Sequence, residues 1–211
     1  MTSTAHLRPH FEDLEKQTHA ARFGMWVFIA SEALLFSALF ALYAGYRVAY
    51  PHAFHESARH TNLLLGSAMT FVLVTSSLAV ALSIGSVREK NGRWTTTALG
   101  MGMALGFVFL ILKAIEYAEH FSDGIYPGPY YHYAEVPDVG ARIFFTLYYV
   151  MTGLHALHVM GGIVLLGWLA WLARRGRWSR EYHTPLELGG MYWHFVDVIW
   201  LFIWPLFYLI R

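Results

Sequence analysis

Cysteine is absent from the 211 residues, and charged side chains make up only 14% of them. The first absence excludes disulfides, thiolate nucleophiles, Fe–S clusters and thiolate-bound copper. The second lies well below the about 25% usual in soluble domains. Apolar residues reach 56%, so lipid rather than water is the solvent for much of the surface. No Pro/Ser-rich linker, low-complexity run or clear short repeat interrupts the chain, which reads as a single membrane domain over residues 1–211. The opening segment MTSTAHLRPHFEDLEKQTHAAR lacks the charged-then-apolar plan of a signal peptide, so the first apolar stretch is expected to remain as a membrane helix. The net charge of +1 says nothing about partners, and no nucleic-acid contact is expected.

What the chain has in abundance is apolar length. Stretches close to the roughly 20 residues that cross a bilayer as helix recur at about 23–46, 63–85, 96–117, 143–173 and 188–210. Backbone groups in lipid must pair within their own segment, so an all-α bundle of five transmembrane helices is predicted. Small residues such as Gly66, Ser67, Gly100, Gly102, Gly106, Gly161 and Gly162 would let the helices approach closely. One side receives ten basic residues: Arg8, Lys16, Arg22, Arg88, Lys90, Arg93, Arg174, Arg175, Arg177 and Arg180. The other receives Arg47, Arg59, Arg142 and Arg211, with Glu56, Asp123, Glu135 and Asp138 in its loops. The positive-inside rule then expects a cytoplasmic N-terminus and an external C-terminus, with the Tyr-rich loop SDGIYPGPYYHYAEVPDVG as an outer interfacial cap.

Ionisable groups at membrane depth cost ~2.5–3.5 kcal/mol each on insertion scales, so Glu32, Lys113, Glu116, His155, His158, His194 and Asp197 each need a reason. Glu32, His194 and Asp197 lie roughly 9–13 Å from the inner face, and His155 and His158, on a helix running back, reach the same half. His155 with His158, and His194 with Asp197, are i,i+3 pairs expected to share a face. A buried hydrogen-bonded layer joining the first, fourth and fifth spans follows. Lys113 and Glu116, with Glu119 and His120 beyond them, read as a separate ion pair near the outer surface. Haem ligation by His155 and His194 is a sharper alternative. Zinc would want three or four ligands and di-iron two Glu-x-x-His motifs, and no such motif is present. The neighbours of Glu32, Ala30, Ala33, Leu34 and Leu35 among them, offer no countercharge. Burial without a countercharge favours its protonated form unless a histidine or another subunit reaches it. Two readings stay open: a carboxyl that modulates proton movement or meets a neighbouring subunit, and a neutral packing acid.

At these residues the chain resembles the cytochrome c oxidase subunit III family, in its five-helix form. FGMWVFIASEALLF resembles the segment with an intramembrane glutamate, here Glu32; KAIEYAEH resembles a motif ending in Glu-Tyr, here Glu116 and Tyr117. TGLHALHVMGG resembles a paired-histidine motif, here His155 and His158, and YWHFVDVIWLF, the most specific, carries His194, Asp197 and Trp200. The resemblance covers about residues 20–210. It implies an accessory subunit of a proton-pumping haem-copper terminal oxidase of aerobic respiration, in the bacterial cytoplasmic (inner) membrane. It implies no catalytic, cofactor-binding or metal residue in this chain, the haems and copper belonging to partner subunits. Expected partners are subunit I, directly and through bound phospholipid, subunit II, a small subunit IV, membrane lipids, and cytochrome c as donor to the complex. The implied role is to support subunit I in stability, proton uptake and oxygen access. Quinol oxidase subunit III and the accessory protein of nitric oxide reductase systems are related alternatives. An autonomous proton-coupled transporter would show paired repeats and broken helices, which are not visible, and a membrane cytochrome would need haem in the isolated chain. Two departures stand out. The two N-terminal helices of seven-helix members are missing, so the lipid-holding cleft between the two parts is not expected within this chain. Lys113 stands where the resemblance suggests a neutral polar residue such as Gln.

Overall fold

A computed structural model describes residues 11–88, 92–133, 136, 138–178 and 182–210. Its helices are α1 (Leu14–Ala49), α2 (Pro51–Arg59), α3 (Leu63–Arg88), α4 (Gly92–Ser122), α5 (Val139–Arg174) and α6 (Thr184–Trp204). A 3-10 turn spans Gly128–Tyr130, a π turn spans Pro205–Leu209, and no strand occurs among the described residues. As the sequence predicts, five helices are long and apolar enough to cross a membrane: α1, α3, α4, α5, and α6 with its π turn. Of the charges used for the inside–outside count, Arg8, Lys90, Glu135, Arg180 and Arg211 lie outside the described residues.

The helices overshoot the apolar stretches because polar residues cap and extend them. Asp13 accepts the Lys16 backbone N–H at 2.7 Å and starts α1 well before its apolar run. Asp138 does the same for α5 through the Gly140 N–H at 2.6 Å. Pro51 ends α1 and opens α2 as its first residue, where a missing N–H costs nothing. The nine-residue α2, not expected from the apolar pattern, buries Ala53, Phe54, Ser57 and Ala58. Pro205 cannot continue the α-helical ladder, and the Ile210 N–H bonds instead to the Pro205 carbonyl at 3.0 Å. Two carbonyls of that turn accept hydroxyls from elsewhere: Leu206 from Tyr43 at 2.6 Å and Phe207 from Thr61 at 2.8 Å.

The core is organised around α5. Phe144, Tyr148, Met151, His155 and Val159 recur at three- or four-residue spacing with relative exposure of 0%, and Ile163, Leu166 and Leu169 carry the buried stripe on along the same helix face. Val150, Leu157, Val164, Trp168 and Trp171 on the other side are exposed, as lipid contact requires. α1 is peripheral: only Phe36 and Tyr43 along its 36 residues are buried. It is tied to α6 at one end by an Arg22–Glu187 ion pair at 2.7 Å and at the other by Tyr43.

Trp193 of α6 is the deepest wedge. It is fully buried and donates from Nε1 to Ser76 Oγ at 3.1 Å, which donates in turn to the Gly102 carbonyl at 2.8 Å. Its ring fits because Gly106 and Gly162 present no Cβ; one added at Gly162 would stand 2.6 Å from two ring atoms. Gly162→Ala is therefore expected to lower stability by about 1–3 kcal/mol. Gly45→Ala, with nothing within 4 Å, should be neutral or gain up to about 1 kcal/mol from helix propensity. Thermal unfolding of the two variants in detergent checks the contrast.

Candidate functional site

Lys113 and Glu116 form the most deeply enclosed polar cluster, with side-chain exposures of 3% and 0%. Lys113 Nζ donates to Glu116 Oε2 at 2.8 Å, Tyr148 Oη at 2.8 Å and Tyr208 Oη at 2.9 Å, which uses all three ammonium protons. Tyr208 also donates to Glu116 Oε2 at 2.7 Å. The ammonium lies 4.3 Å from the Tyr148 ring centroid and 5.6 Å from that of Trp200, close enough for the ring faces to add to its stabilisation. Three elements meet here: α4 supplies the ions, α5 supplies Tyr148 and the π turn supplies Tyr208. The sequence located the ion pair but not the two tyrosines. Tyr148 stands two turns before His155 on the same stripe, a signal that was available. The facing of Tyr208 depends on the π turn and had no local signature.

The remaining polar residues do not form one layer. Glu32 Oε2 of α1 meets His158 Nε2 of α5 at 3.0 Å, so the carboxyl that its own neighbours leave without a countercharge acquires an imidazole. His158 is fixed by its Nδ1 on the Leu154 carbonyl at 2.8 Å, and its own carbonyl accepts from Tyr192 of α6 at 3.0 Å. That much does connect the first, fourth and fifth spans. His155 stands ~60° round the helix from His158 and does not share its polar partner. Its ring lies between Trp200 and Phe109, centroids at 5.2 and 5.5 Å, and neither nitrogen has a partner among the described residues. His194 turns to Ser77 of α3 through Nδ1. Ser77 lies beside Asp197 as well, yet both Asp197 carboxylate oxygens are buried and unbonded among the described residues.

These surroundings do not suit haem ligation. His155 is enclosed by aromatic rings and both His158 nitrogens are engaged. No group of three or more His, Asp or Glu side chains with metal-holding geometry occurs among the described residues. Tyr117 and Thr152 add a further missed bridge between α4 and α5, at 2.6 Å; Thr152 donates to the Tyr148 carbonyl, which makes Tyr117 the donor to it. In the connection between those helices, the Tyr131 phenol is pushed up to about 12 by burial, with Asp138 adding to the rise. It therefore stays a neutral donor to the Val136 carbonyl, at 2.9 Å, through the physiological range. A cavity of about 680 Å³ opens at the opposite end of the bundle, lined by Gly92, Arg93, Thr96, Thr97, Ala173, Arg174 and Gly176.

Five apolar helices that enclose paired charges and buried aromatic hydroxyls define a polytopic membrane protein whose interior polarity is turned inward on itself. The chain belongs to the cytochrome c oxidase subunit III family, whose model matches residues 10–210. Cytochrome c oxidase subunit 3 of Synechocystis is 30% identical over 89% of this chain and 75% of its own length. The protein of that name from Thermostichus vulcanus is 30% identical over 98% of this chain and 90% of its own. A Staphylococcus haemolyticus protein named "Probable quinol oxidase subunit 3" is 29% identical over 99% and 95%. The chain is thus a subunit III of the haem-copper oxidase family, of the cytochrome c or the quinol type.

Removing one member of the buried pair should be costly, and removing both should be mild. Lys113→Met leaves the Glu116 carboxylate without its cation and is expected to cost about 3–5 kcal/mol, whereas Lys113→Met with Glu116→Leu should recover most of that loss. Unfolding midpoints of the single and double variants in the same detergent measure the difference.

Proposed function

We propose that this chain is the accessory subunit III of a proton-pumping haem-copper terminal oxidase of aerobic respiration that takes electrons from cytochrome c. The observation that carries the reading, beside the family assignment, is that the interior cation and the Glu32 carboxyl are each met by side chains of the bundle itself. Lys113 is saturated by Glu116, Tyr148 and Tyr208, and Glu32 is met by His158. A protein that bound or moved a substrate through its own bundle would keep such groups open to a passage. The haems and copper, and with them oxygen reduction, belong to subunit I and its partners. This chain supports subunit I in stability, proton uptake and oxygen access, with Glu32, His155, His158, His194 and Asp197 as the residues whose loss is felt most.

The apolar face of α1, with Phe23, Trp26, Leu34 and Val48 exposed, supplies a surface for subunit I and for phospholipid between the two. Subunit II and a small subunit IV complete the complex. Its place is the bacterial cytoplasmic membrane, N-terminus inside. The 29% identity to a protein named as a quinol oxidase subunit over 99% of this chain favours a second reading, in which a quinol replaces cytochrome c as donor. Turnover of the purified complex with each donor separates the two.

Mild-detergent purification through a tag on this chain should bring down haem and copper in the co-purifying subunits. The chain freed of them should show neither an optical redox spectrum nor bound metal. Stoichiometric haem in the freed chain would overturn the accessory reading. Within the complex, Glu32→Ala is expected to leave the initial turnover rate near that of the parent and to shorten the time before activity decays.

Orientation is open to a direct test because the chain has no native cysteine. Ser122→Cys should react with a membrane-impermeant maleimide in intact cells. Arg177→Cys should react only after permeabilisation.

A further inference from the structure

Beyond the pairing already described, the Lys113 cluster is incomplete in a way that points to a ligand. Glu116 Oε2 takes both Lys113 and Tyr208, while Glu116 Oε1 is buried with no hydrogen-bond partner among the described residues. One turn further along the same face, His120 is 4% exposed and its Nδ1 is likewise without a partner there. The His120 ring hydrogen-bonds to the backbone of His60, at the end of α2. That bond holds the proton on the other ring nitrogen and leaves Nδ1 a bare acceptor. Residues at i and i+4 stand about 5–6 Å apart at Cβ, which puts the two unpartnered acceptors within reach of one small donor molecule. A buried carboxylate oxygen left unbonded bears its full desolvation cost, and a molecule with two donors satisfies both atoms at once.

We propose that a water molecule occupies this place, donating one hydrogen to Glu116 Oε1 and the other to His120 Nδ1. Ser57 Oγ, buried and also without a partner among the described residues, lies on α2 one turn before His60 and offers a donor at the same end. The chain of contacts continues outward: His60 Nδ1 meets the Tyr133 hydroxyl at 3.0 Å in the α4–α5 connection. The water thus connects the Lys113–Glu116 pair to the aqueous end of the bundle that carries α2. This site does not depend on which oxidase the chain serves.

The test is water-edited solid-state NMR of the full chain, 15N-labelled at histidine, in lipid bilayers. The His120 resonance, identified by its loss in His120→Phe, should receive polarisation from water through Nδ1. Transfer should be lost at His120 in the folded double variant Lys113→Met with Glu116→Leu. No transfer to His120 in the parent protein, while His19 and His52 at the surface light up, overturns the proposal. Transfer that persists unchanged in the double variant overturns the bridge to Glu116.

Discussion

Lys113 brings three N–H donors to a depth where lipid offers no acceptor, and Glu116 Oε2, Tyr148 and Tyr208 take all three. Much of the bundle's geometry follows from that demand. Tyr148 fixes the rotation of α5, whose buried stripe runs on through His155 and Val159. Tyr208 reaches the ion because Pro205 breaks the α-helical ladder of α6 and the chain continues as a π turn. The same break leaves the Leu206 and Phe207 carbonyls to receive hydroxyls from Tyr43 of α1 and Thr61 after α2. An ion pair of this kind contributes little net stability compared with apolar residues of equal volume. What it imposes is a meeting point, since α4, α5 and the C-terminal turn must come together here for every Lys113 donor to be satisfied.

The second polar centre works differently. Glu32 and His158 are part-exposed, at 20% and 14%, and sit where α1 meets α5. Around them Phe36 lies edge-on to His158 and Phe28 lies against Tyr192. The contact is therefore the polar seam of an otherwise lightly held helix, while the Lys113 cluster belongs to the core itself. His194 with Ser77 fastens α6 to α3 on yet another side. Polar groups are distributed as separate fastenings between helix pairs, which accounts for the absence of one continuous layer.

How much of this was legible in the sequence depended on the range of the interaction. Apolar length showed the five spans. Their ends did not show, because Asp13 and Asp138 extend α1 and α5 through polar turns that hydropathy ignores. The short α2 carries its buried residues at 53, 54, 57 and 58, a helical spacing too brief to separate from a loop. Lys113 with Glu116 was visible as a local pair, whereas i,i+3 spacing could not show that His158 finds Glu32 while His155 lies between aromatic rings. A histidine was legible as a partner for Glu32, but not which one, since His158 lies 126 residues away. Tyr148 could be placed on the His155 stripe of α5, but Tyr208 could not be tied to Lys113 without knowing how the π turn is rotated.

That separation has a consequence for how the chain is made. α1 enters the bilayer first, yet its fastenings come from the far end of the chain: Thr18 to Thr184, Arg22 to Glu187 and Tyr43 to Leu206 lie 166, 165 and 163 residues apart. Until α5 and α6 have been synthesised, the first helix sits in lipid with Glu32 unmatched and almost none of its surface covered. Closure of the bundle is thus an event of high contact order that waits on the last segment to leave the ribosome. A chain that stops short of α6 has only the Glu32–His158 seam left to hold its own beginning.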